Sequence, residues 1–261
     1  MKKIDQERFH FIDNIVWWEG QINAPTLIRH FQISRDSASS ILKSYDQFFP
    51  NNLIYDPSIK ARILTNKFKA MTDVSSFDHY LKLLQKTQHQ QIIENTEEVE
   101  APLRNINAQL VRPILKAINE KLAIDIGYIS LTSPDYLDRI IEPHTLIFDG
   151  LRWHVRAYCR KNAAFRDFVL SRFNGIAEFE GAALNAKEQD NLWQTYTDIE
   201  IMPDPRLTEK QQAIIARDFQ MTNGKKVIKT RLALVNYLLL RLRLDHYKNT
   251  AEEQQIMLSP E

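Results

Sequence analysis

The sequence contains one cysteine and six glycines among its 261 residues. A single cysteine, Cys159, excludes an intramolecular disulfide framework and a zinc site built from several cysteines. No Gly-rich phosphate-binding loop is present. No run reaches the roughly 18 apolar residues of a membrane span, since the most apolar segment is interrupted by Asn236, Arg241 and Arg243. We therefore expect a cytosolic protein without a membrane partner.

The chain carries almost no net charge, +1 at pH 7, yet one stretch of it is strongly basic. With 44% hydrophobic and 26% charged residues, the composition supports packed cores and does not indicate global disorder. Residues 151–172 read LRWHVRAYCRKNAAFRDFVLSR and contain a single acid, Asp167. The basic residues of this stretch are Arg152, Arg156, Arg160, Lys161, Arg166 and Arg172. Such clustering fits an anion pocket and also fits a solvated face of a sheet.

The first third of the chain predicts three helices followed by a hairpin. Residues 4–19 place apolar side chains at helical spacing, and Gly20 is suited to end that helix. Asn23 and Ser34 are suited to cap two further helices, the second of which runs to about residue 45. The extended runs LIYD and ARILT, joined by a turn, predict a hairpin directly after the third helix. This order is typical of a winged helix-turn-helix.

The third helix and the hairpin carry the side chains that we expect to contact double-stranded DNA. Hydroxyl and basic groups suit contacts with phosphates and base edges. The residues predicted to contact DNA are Ser34, Arg35, Asp36, Ser37, Ser39, Ser40, Lys43, Lys60 and Arg62. Because the helix has few arginines, a protein-interaction domain stays open as an alternative for this region.

After a helix predicted at residues 107–121, the periodicity changes from helical to two. The strand candidates are residues 123–131, 138–150, 152–158 and 165–173. Turn residues separate them, which predicts a small β-barrel or a strongly curved sheet. The last third contains two strands, a helix capped by Thr208 and a long helix at about 232–244, which predicts a small α+β unit.

Strand alternation sorts the side chains of the basic stretch onto two faces. One face carries Trp153, Val155 and Ala157, and the other carries His154, Arg156 and Tyr158. The next strand groups Arg166, Phe168, Leu170 and Arg172. Converging guanidinium groups would bind one phosphate in bidentate fashion. Pairing of the arginines with aspartates across the strands, including Asp149 and Asp167, explains the spacing equally well.

Catalytic interpretations have weaker support. Cys159 and His154 lie in one strand at an odd separation, so they point to opposite faces and do not form a nucleophile and base pair. Glu142 and His144 share a face, but two side chains without further ligands are weak evidence for a metal site. We therefore expect neither an enzyme nor a bound cofactor or metal.

Several short motifs of the central region resemble one known domain. They are Tyr128-x-Ser130, Pro143-His144, Arg152-Trp153-His154-Val155 and Arg166-x-Phe168-x-Leu170-x-Arg172. Together they look like the WYL domain, a bacterial Sm-like β-barrel, although the naming tripeptide is here Trp153-His154-Val155. By position, the resemblance implies a ligand pocket formed by Tyr128, Ser130, His144, Trp153, His154, Arg156, Arg166 and Arg172.

The order of the domains resembles the WYL-type transcriptional regulators and is similar to the repressors that accompany phage-defence islands such as BREX systems. The resemblance implies an α+β multidomain chain with a winged helix-turn-helix, a helical linker, an Sm-like barrel and a small α+β dimerisation domain. Their expected ranges are 1–72, 73–121, 122–190 and 191–261. The linker would include a helix at 76–93 and an acidic run at 94–100.

We therefore predict a homodimeric, sequence-specific transcriptional regulator, most simply a repressor of a phage-defence operon. It would bind an inverted-repeat DNA operator and respond to a nucleotide or oligonucleotide at the WYL domain. One alternative is an accessory protein that binds single-stranded nucleic acid without sequence preference through the WYL-like barrel. A purely structural interaction module is another.

Overall fold

The computed structural model describes residues 3–85, 95–97, 99, 102–131 and 133–260, with the backbone alone at 133 and 135–137. The chain forms two compact units that divide after residue 100. The end of the predicted helix at 76–93 and three residues of the acidic run, Glu94, Glu98 and Glu100, lie outside the described residues. None of the helices in the described part is long and apolar enough to cross a membrane.

The first unit combines helices with a small antiparallel sheet. Its elements are α1 (Lys3–Glu19), β1 (Gln21–Ile22), α2 (Ala24–Phe31), α3 (Arg35–Phe48), β2 (Leu53–Asp56), β3 (Ala61–Leu64) and α4 (Phe77–Gln85). Strand β3 lies between β1 and β2, and the β2–β3 pair is the predicted hairpin, which we call the wing. The winged helix-turn-helix prediction is therefore confirmed.

Local hydrogen bonds set the helix boundaries in this unit as the sequence predicts. The Asn23 side chain accepts from the backbone N–H of Thr26 at 3.1 Å and caps α2, and Ser34 accepts from Ser37 N–H at 3.2 Å and caps α3. Gly20 adopts a φ of +74°, which ends α1 at little steric cost. The turn between α2 and α3 passes through Gln32 in a left-handed conformation.

The core of the first unit is formed by the predicted inward faces of α1 and α3. The fully buried side chains include Phe9, Ile12, Ile15, Val16, Ala38, Leu42 and Tyr45. Aromatic side chains fill its centre, with the rings of Phe9 and Tyr45 in edge contact at 5.4 Å. Apolar burial of this kind is the main favourable contribution to folding of the unit.

A buried polar network ties α1, α3 and the segment after the wing together. The Tyr45 hydroxyl donates to Asp13 Oδ1 and accepts from Asn52 Nδ2 at 3.0 Å. The other Asp13 oxygen accepts from Met71 N–H at 2.6 Å. Burial raises the pKa of Asp13, and the hydrogen bonds from Tyr45 and Met71 partly offset that rise. The network therefore holds the chain that leaves the wing against the helical core.

The second unit is built on an antiparallel sheet. Its elements up to that sheet's last strand are α5 (Ala108–Glu120), β4 (Leu122–Ser130), β5 (Ser133–Phe148), β6 (Trp153–Cys159), β7 (Ala164–Val169) and β8 (Phe173–Ala182). Within the described residues the strands pair in the order β7-β6-β5-β4-β8. Helix α5 buries Leu110, Ile114 and Ala117 in the same core as β4 and β6, so it packs on the sheet.

The four-stranded prediction missed one strand and one turn. Strand β8 lies beside β4, and its residues are largely exposed, so the apolar alternation that marks the other strands is weak there. The predicted strand at 165–173 ends at Val169, after which Leu170–Arg172 form a 3-10 turn. Among the described residues, no strand pairing joins β7 to β8 and closes the sheet. The backbone N–H of Val169 on β7 donates to the hydroxyl of Tyr128 on β4 at 3.1 Å, which brings these two strands together.

The last third forms a second, smaller sheet flanked by short helices. Its elements are α6 (Asn191–Gln194), β9 (Tyr196–Pro203), α7 (Glu209–Asp218), β10 (Lys226–Arg231), α8 (Val235–Arg241), α9 (Ala251–Gln254) and β11 (Ile256–Leu258). Strand β9 lies between β10 and β11. Thr208 and Gln211 form the predicted capping box of α7. The predicted helix at 232–244 was too long, because the chain leaves α8 through Arg243 in a left-handed conformation.

We expect Tyr45→Phe to lower the free energy of unfolding by about 1–3 kcal/mol, because it leaves a buried Asp13 oxygen and one N–H of the Asn52 amide without a partner, while the amide keeps its hydrogen bonds with Lys69. The measurement is urea unfolding of the full chain. Tyr55→Phe is the matched control, since Tyr55 is exposed and should change stability by less than about 0.5 kcal/mol. Equal effects of the two substitutions would contradict a stabilising role for the network.

Candidate nucleic-acid interface and ligand pocket

A groove of about 630 Å³ lies between α2, α3 and the wing. Its apolar lining includes Ile28, Leu42 and Ile59, and its polar lining includes Asn23 and Ser39. The basic groups at the groove are Arg35, Lys43, Lys60 and Arg62. The structure therefore brings the basic residues predicted from α3 and the wing to one concave surface.

The remaining predicted DNA contacts lie at the start of α3. Ser34, Arg35, Asp36, Ser37, Ser40 and Lys43 are exposed, and Ser39 is partly buried. The hydroxyl groups of Ser34 and Ser37 are 2.9 Å apart, so the N-cap residue of α3 and a residue of its first turn are hydrogen-bonded to each other. The N-terminus of α3 thus presents backbone N–H groups and small polar side chains together, which suits a phosphate.

Arg62 is held differently from the other basic residues of the groove. Its Nε donates to both oxygens of Asp46 on α3, at 3.1 and 2.8 Å, and its Nη2 lies 2.8 Å from Asp46 Oδ2. The same guanidinium stands 5.8 Å from the centre of the Tyr55 ring. This pair fixes β3 against α3 and therefore sets the position of the wing.

Sequence reasoning missed Asn23 and the wing residues Tyr55 and Ile59 as parts of the groove. Tyr55 is 55% exposed and Ile59 is 49% exposed. Large exposed apolar side chains at a hairpin are the signal that could have pointed to them.

A second cavity, of about 260 Å³, opens at one end of the larger sheet and is called the basic pocket here. It is lined by Tyr128, Ser130, Arg139, Lys161, Asn162, Arg166, Asp167 and Phe168. Three predicted ligand residues, Tyr128, Ser130 and Arg166, therefore meet in one place. Arg139, Lys161 and Arg166 give the pocket a positive wall, which suits an anion such as phosphate.

Tyr128 forms the floor of the basic pocket together with Phe168. Their rings meet edge to face at 5.0 Å, and the guanidinium of Arg139 stands 5.7 Å from the centre of the Tyr128 ring. Arg139 Nη1 donates to Asn162 at 3.4 Å. Within the described residues, Arg166 has no carboxylate within 4.0 Å. A cation that is exposed and not paired in this way is available to a ligand.

The other predicted ligand residues do not reach the basic pocket. His144, His154 and Arg156 lie on the opposite face of the sheet, buried against the last third of the chain. Trp153 lies at the far end of β6, where it packs against Phe148 with ring centres 4.9 Å apart. Arg172 lies in the 3-10 turn after β7. The alternation predicted for β6 was correct, but the one predicted for residues 166–172 ends at Val169, where the chain enters the 3-10 turn. The two faces of the sheet have different partners.

Arg156 is the centre of a buried network of ion pairs. Its Nε and Nη2 donate to the two oxygens of Asp190, the second at 2.9 Å, and its Nη1 donates to Asp167 at 3.0 Å. His144 Nε2 lies 3.2 Å from Asp190 Oδ2. Burial alone would raise the pKa of Asp190, but the Arg156 guanidinium holds it below its usual value. Burial lowers the pKa of His144 despite Asp190, which favours a neutral imidazole at pH 7.

The network continues through the turn between β5 and β6. His154 Nε2 lies 2.9 Å from Asp149, whose carboxylate also accepts from the N–H groups of Leu151 and Arg152 at 2.7 Å. These hydrogen bonds outweigh burial and lower the pKa of Asp149 to about 2. Because that pKa is depressed, Asp149 stabilises the fold above its unfolded value of 3.8, and the contribution disappears as pH falls towards 2.

Three arginines of the basic stretch at residues 151–172 pair with carboxylates. Arg152 pairs with Asp149, Arg156 with Asp167, and Arg160 with Glu142 at 2.8 Å. Glu142 also accepts from the backbone of Asn185, so it is structural and does not join His144 in a metal site. In the described part of the chain, no cluster of three or more metal-ligating side chains occurs.

The pocket residues that were not predicted as ligand residues are Arg139, Lys161, Asn162, Asp167 and Phe168. Arg139 lies on β5, and Asn162 lies in the turn between β6 and β7. Their proximity depends on the register of β5 against β6, which the sequence does not specify. The sequence signal that could have pointed to Arg139 is its place on the predicted strand that directly precedes the basic stretch.

Models of known protein families match most of the chain. The BrxR transcriptional regulator winged helix-turn-helix domain matches residues 5–86, the WYL domain matches 109–178, and the BrxR transcriptional regulator C-terminal dimerization domain matches 196–261. The chain is also similar to bacterial proteins described as DNA-binding transcriptional repressor CapW. The one from Pseudomonas aeruginosa is 35% identical over 97% of this chain and 88% of its own length.

Two further CapW proteins give similar values. The protein from Stenotrophomonas maltophilia is 33% identical over 91% of this chain and 83% of its own length. The protein from Escherichia coli is 33% identical over 97% of this chain and 88% of its own length. The similarity therefore spans both units and is not confined to one domain.

We expect Arg156→Met to destabilise the protein by about 3–5 kcal/mol, because it leaves the buried Asp190 carboxylate without its cation. Arg166→Met should change stability by less than about 0.5 kcal/mol, since Arg166 is exposed. Denaturant unfolding of the two variants makes the comparison. A larger loss for Arg166→Met would show that the roles of the two arginines are assigned the wrong way round.

Proposed function

The chain belongs to the family of BrxR and CapW transcriptional regulators, and we propose from this premise that it is a repressor that binds operator DNA through its first unit. The observation that carries the proposal is the groove between α2, α3 and the wing, where Arg35, Lys43 and Lys60 are exposed. Cations concentrated at one surface bind the phosphate backbone even when the whole chain is nearly neutral.

We propose that the active form is a homodimer joined through the last third of the chain. None of the side chains of α7 and α8, which lie wholly within the described residues, is fully buried. Ile214 on α7 is 52% exposed and Leu240 on α8 is 53% exposed. A helix whose apolar side chains are at most partly buried gains further hydrophobic packing if another chain covers it. A twofold dimer would present two winged helices to an inverted repeat.

The basic pocket is proposed as the site of a phosphate-bearing effector, such as a nucleotide or an oligonucleotide. Arg139, Lys161 and Arg166 supply the charge, and Tyr128 and Phe168 supply an aromatic floor. Effector binding would change operator affinity by linkage, to the extent that the ligand binds one dimer geometry more tightly than the other. The regulated genes would belong to a phage-defence operon.

The chain would act as a regulator and not as an enzyme. Its relatives are described as repressors and come from bacteria, whose DNA lies in the cytoplasm, and we propose the same location for this chain. The proposed function makes no use of a cofactor.

We expect Lys43→Ala to weaken binding to the DNA upstream of the protein's own gene and to a scrambled duplex alike. Loss of one phosphate contact should make the slope of log K against log salt shallower by about 1. Fluorescence anisotropy at several salt concentrations measures both quantities. Lys116→Ala on α5 is the matched control, because Lys116 is an exposed lysine of the second unit. Equal and weak binding of the wild type to both duplexes would contradict an operator-specific repressor.

The same titrations separate a positioning role of Arg62 from a direct contact with DNA. If the Arg62–Asp46 pair positions the wing, Arg62→Ala and Asp46→Ala both weaken operator binding and leave the salt slope unchanged. Stronger binding by Asp46→Ala would instead identify Arg62 as a phosphate contact released from its partner.

For the dimer, Leu240→Glu should produce a monomer in sedimentation velocity, because a carboxylate placed in an apolar interface is costly to desolvate. The monomer should also lose operator affinity. Leu184→Glu is the control, since Leu184 is 74% exposed and lies in the connection before α6. A dimeric Leu240→Glu protein would exclude α8 from the interface.

A further inference from the structure

A cavity of about 310 Å³ lies beside the turn between β5 and β6 and is called the turn cavity here. The segment that precedes α5 forms one wall, the β5–β6 turn forms another, and the 3-10 turn after β7 closes one side. The large apolar side chains of its lining are Leu103, Ile106, Phe148, Leu151 and Trp153. The turn cavity is therefore mainly apolar, unlike the basic pocket.

The apolar side chains of the turn cavity remain accessible to water within one chain. Phe148, Leu151 and Trp153 are each about half exposed. The rings of Phe148 and Trp153 pack against each other with centres 4.9 Å apart, so they form one continuous surface. Contiguous exposed apolar side chains mark interaction surfaces, and aromatic residues are enriched at the centres of protein interfaces. The turn cavity therefore has the composition of a site for another protein surface.

Helix α8 borders the turn cavity within the same chain. Gly150 lines the cavity, and Arg241 at the end of α8 packs against it, with Nε only 3.2 Å from the position of a Cβ atom at Gly150. The φ of Gly150 is +98°, a conformation that favours glycine. Leu240, the exposed residue next to Arg241, therefore lies at the edge of the same surface. The turn cavity is continuous with the helix that was proposed above for the dimer interface.

Helices α7 and α8 are too small to form a stable dimer interface by themselves. They have ten and seven residues, and helices of such lengths are about 15 and 10 Å long and roughly 10 Å wide. One face of each therefore offers on the order of 100 Å² in projection, whereas a stable interface buries about 800 Å² on each partner. An interface that includes α8 must extend onto the surface around it, and the turn cavity is an apolar surface that borders α8.

Twofold symmetry gives a simple way to cover both surfaces. In a twofold dimer, a contact of one surface with a second surface of the partner is always made twice. The turn cavity is concave, α8 is convex, and the two lie side by side in one protomer. A twofold axis that passes between them places α8 of each protomer against the turn cavity of the other. Leu240 of one protomer then contacts the exposed rings of Phe148 and Trp153 of its partner.

The arginines around the turn cavity add little cost to such packing. Arg152 Nε lies 3.3 Å from Asp149, so this charge is paired before a second chain arrives. Arg104 is exposed and can keep its guanidinium group in water at the edge of the interface. The surface that a second chain would cover is therefore mainly apolar, and its burial is favourable.

On the basis of the proposed dimer, we propose that α8 of a second copy of this chain packs into the turn cavity, and that Phe148 and Trp153 anchor this reciprocal interface. Both sheets of the second unit then contribute to the dimer, and the last third does not form it alone. Trp153, which the resemblance placed in a ligand pocket, is a contact between protomers in this arrangement.

Disulfide cross-linking between two full-length variants tests the reciprocal contact. The only native cysteine, Cys159, is buried, so a cysteine introduced at an exposed position is the reactive one. A tagged Leu240→Cys protein is mixed with an untagged Leu151→Cys protein until subunits exchange, and the mixture is mildly oxidised. Because the two cysteines lie on different chains, a cross-link between them reports a contact between protomers. Leu184→Cys in place of Leu151→Cys is the control, since Leu184 is exposed and lies outside the turn cavity.

We expect at least tenfold more disulfide between Leu240→Cys and Leu151→Cys than between Leu240→Cys and Leu184→Cys, and no cross-link when either of the first two variants is oxidised alone.

The dimer dissociation constant tests the anchor role of Trp153. We expect Trp153→Ala to raise this constant by tenfold or more in sedimentation experiments over a range of concentrations, because truncating a central aromatic residue is costly at an interface. Trp17→Ala is the matched control and should change the constant by less than twofold. Trp17 is also about half exposed and also stacks on a phenylalanine, Phe68, but it lies in the first unit. Leu151→Glu should weaken the dimer as well, which covers the case in which Trp153→Ala does not fold.

The outcomes separate the reciprocal contact from the proposed dimer itself. If Leu240→Glu is a monomer but Trp153→Ala and Leu151→Glu dimerise as the wild type does, the turn cavity is outside the interface and α8 remains part of it. A cross-link formed by Leu240→Cys alone would show that α8 packs against α8 at the axis, which also overturns the reciprocal contact. If Leu240→Glu is still a dimer, the interface through α8 and the packing of α8 into the turn cavity are both overturned.

Discussion

The second unit depends on a buried guanidinium that has almost no access to water. Arg156 is 3% exposed, and the cost of burying its charge is offset only by two carboxylates that it binds together, Asp190 and Asp167. Asp190 also accepts from Trp193 N–H at 3.2 Å and begins α6, where the chain leaves the large sheet for the small one. The requirement to pair one cation therefore fixes β6, β7 and the start of the last third relative to one another.

Features decided by neighbouring residues could be predicted from the sequence. Asn23, Ser34 and Thr208 cap helices through hydrogen bonds that span three residues, and the wing follows from two short extended runs joined by a turn. The faces of β6 also followed from alternation, with Val155 and Ala157 in the core and His154 and Arg156 opposite. These features depend on residue type and spacing alone, and so they can be derived without tertiary contacts.

Features decided by distant partners could not be derived in this way. Nothing near Arg156 in the sequence indicates that its main partner is Asp190, which is 34 positions away, or that Tyr237 would reach Asp167 across 70 positions. Arg139 and Arg166 meet only because β5 and β7 flank β6 in one particular register. The resemblance to the family placed His154 and Arg156 in the ligand pocket because of their positions in the motif. In the structure these two side chains lie on the opposite face of the sheet from the basic pocket.

The side chains of α7 and α8 are at most partly buried within one chain. If a second copy supplies their packing, association contributes to stability by mass action, and the folded, DNA-binding fraction rises with total concentration. A repressor of this kind responds to its own rate of synthesis. Dilute chains would bind the operator weakly, and full repression would follow only as the protein accumulates.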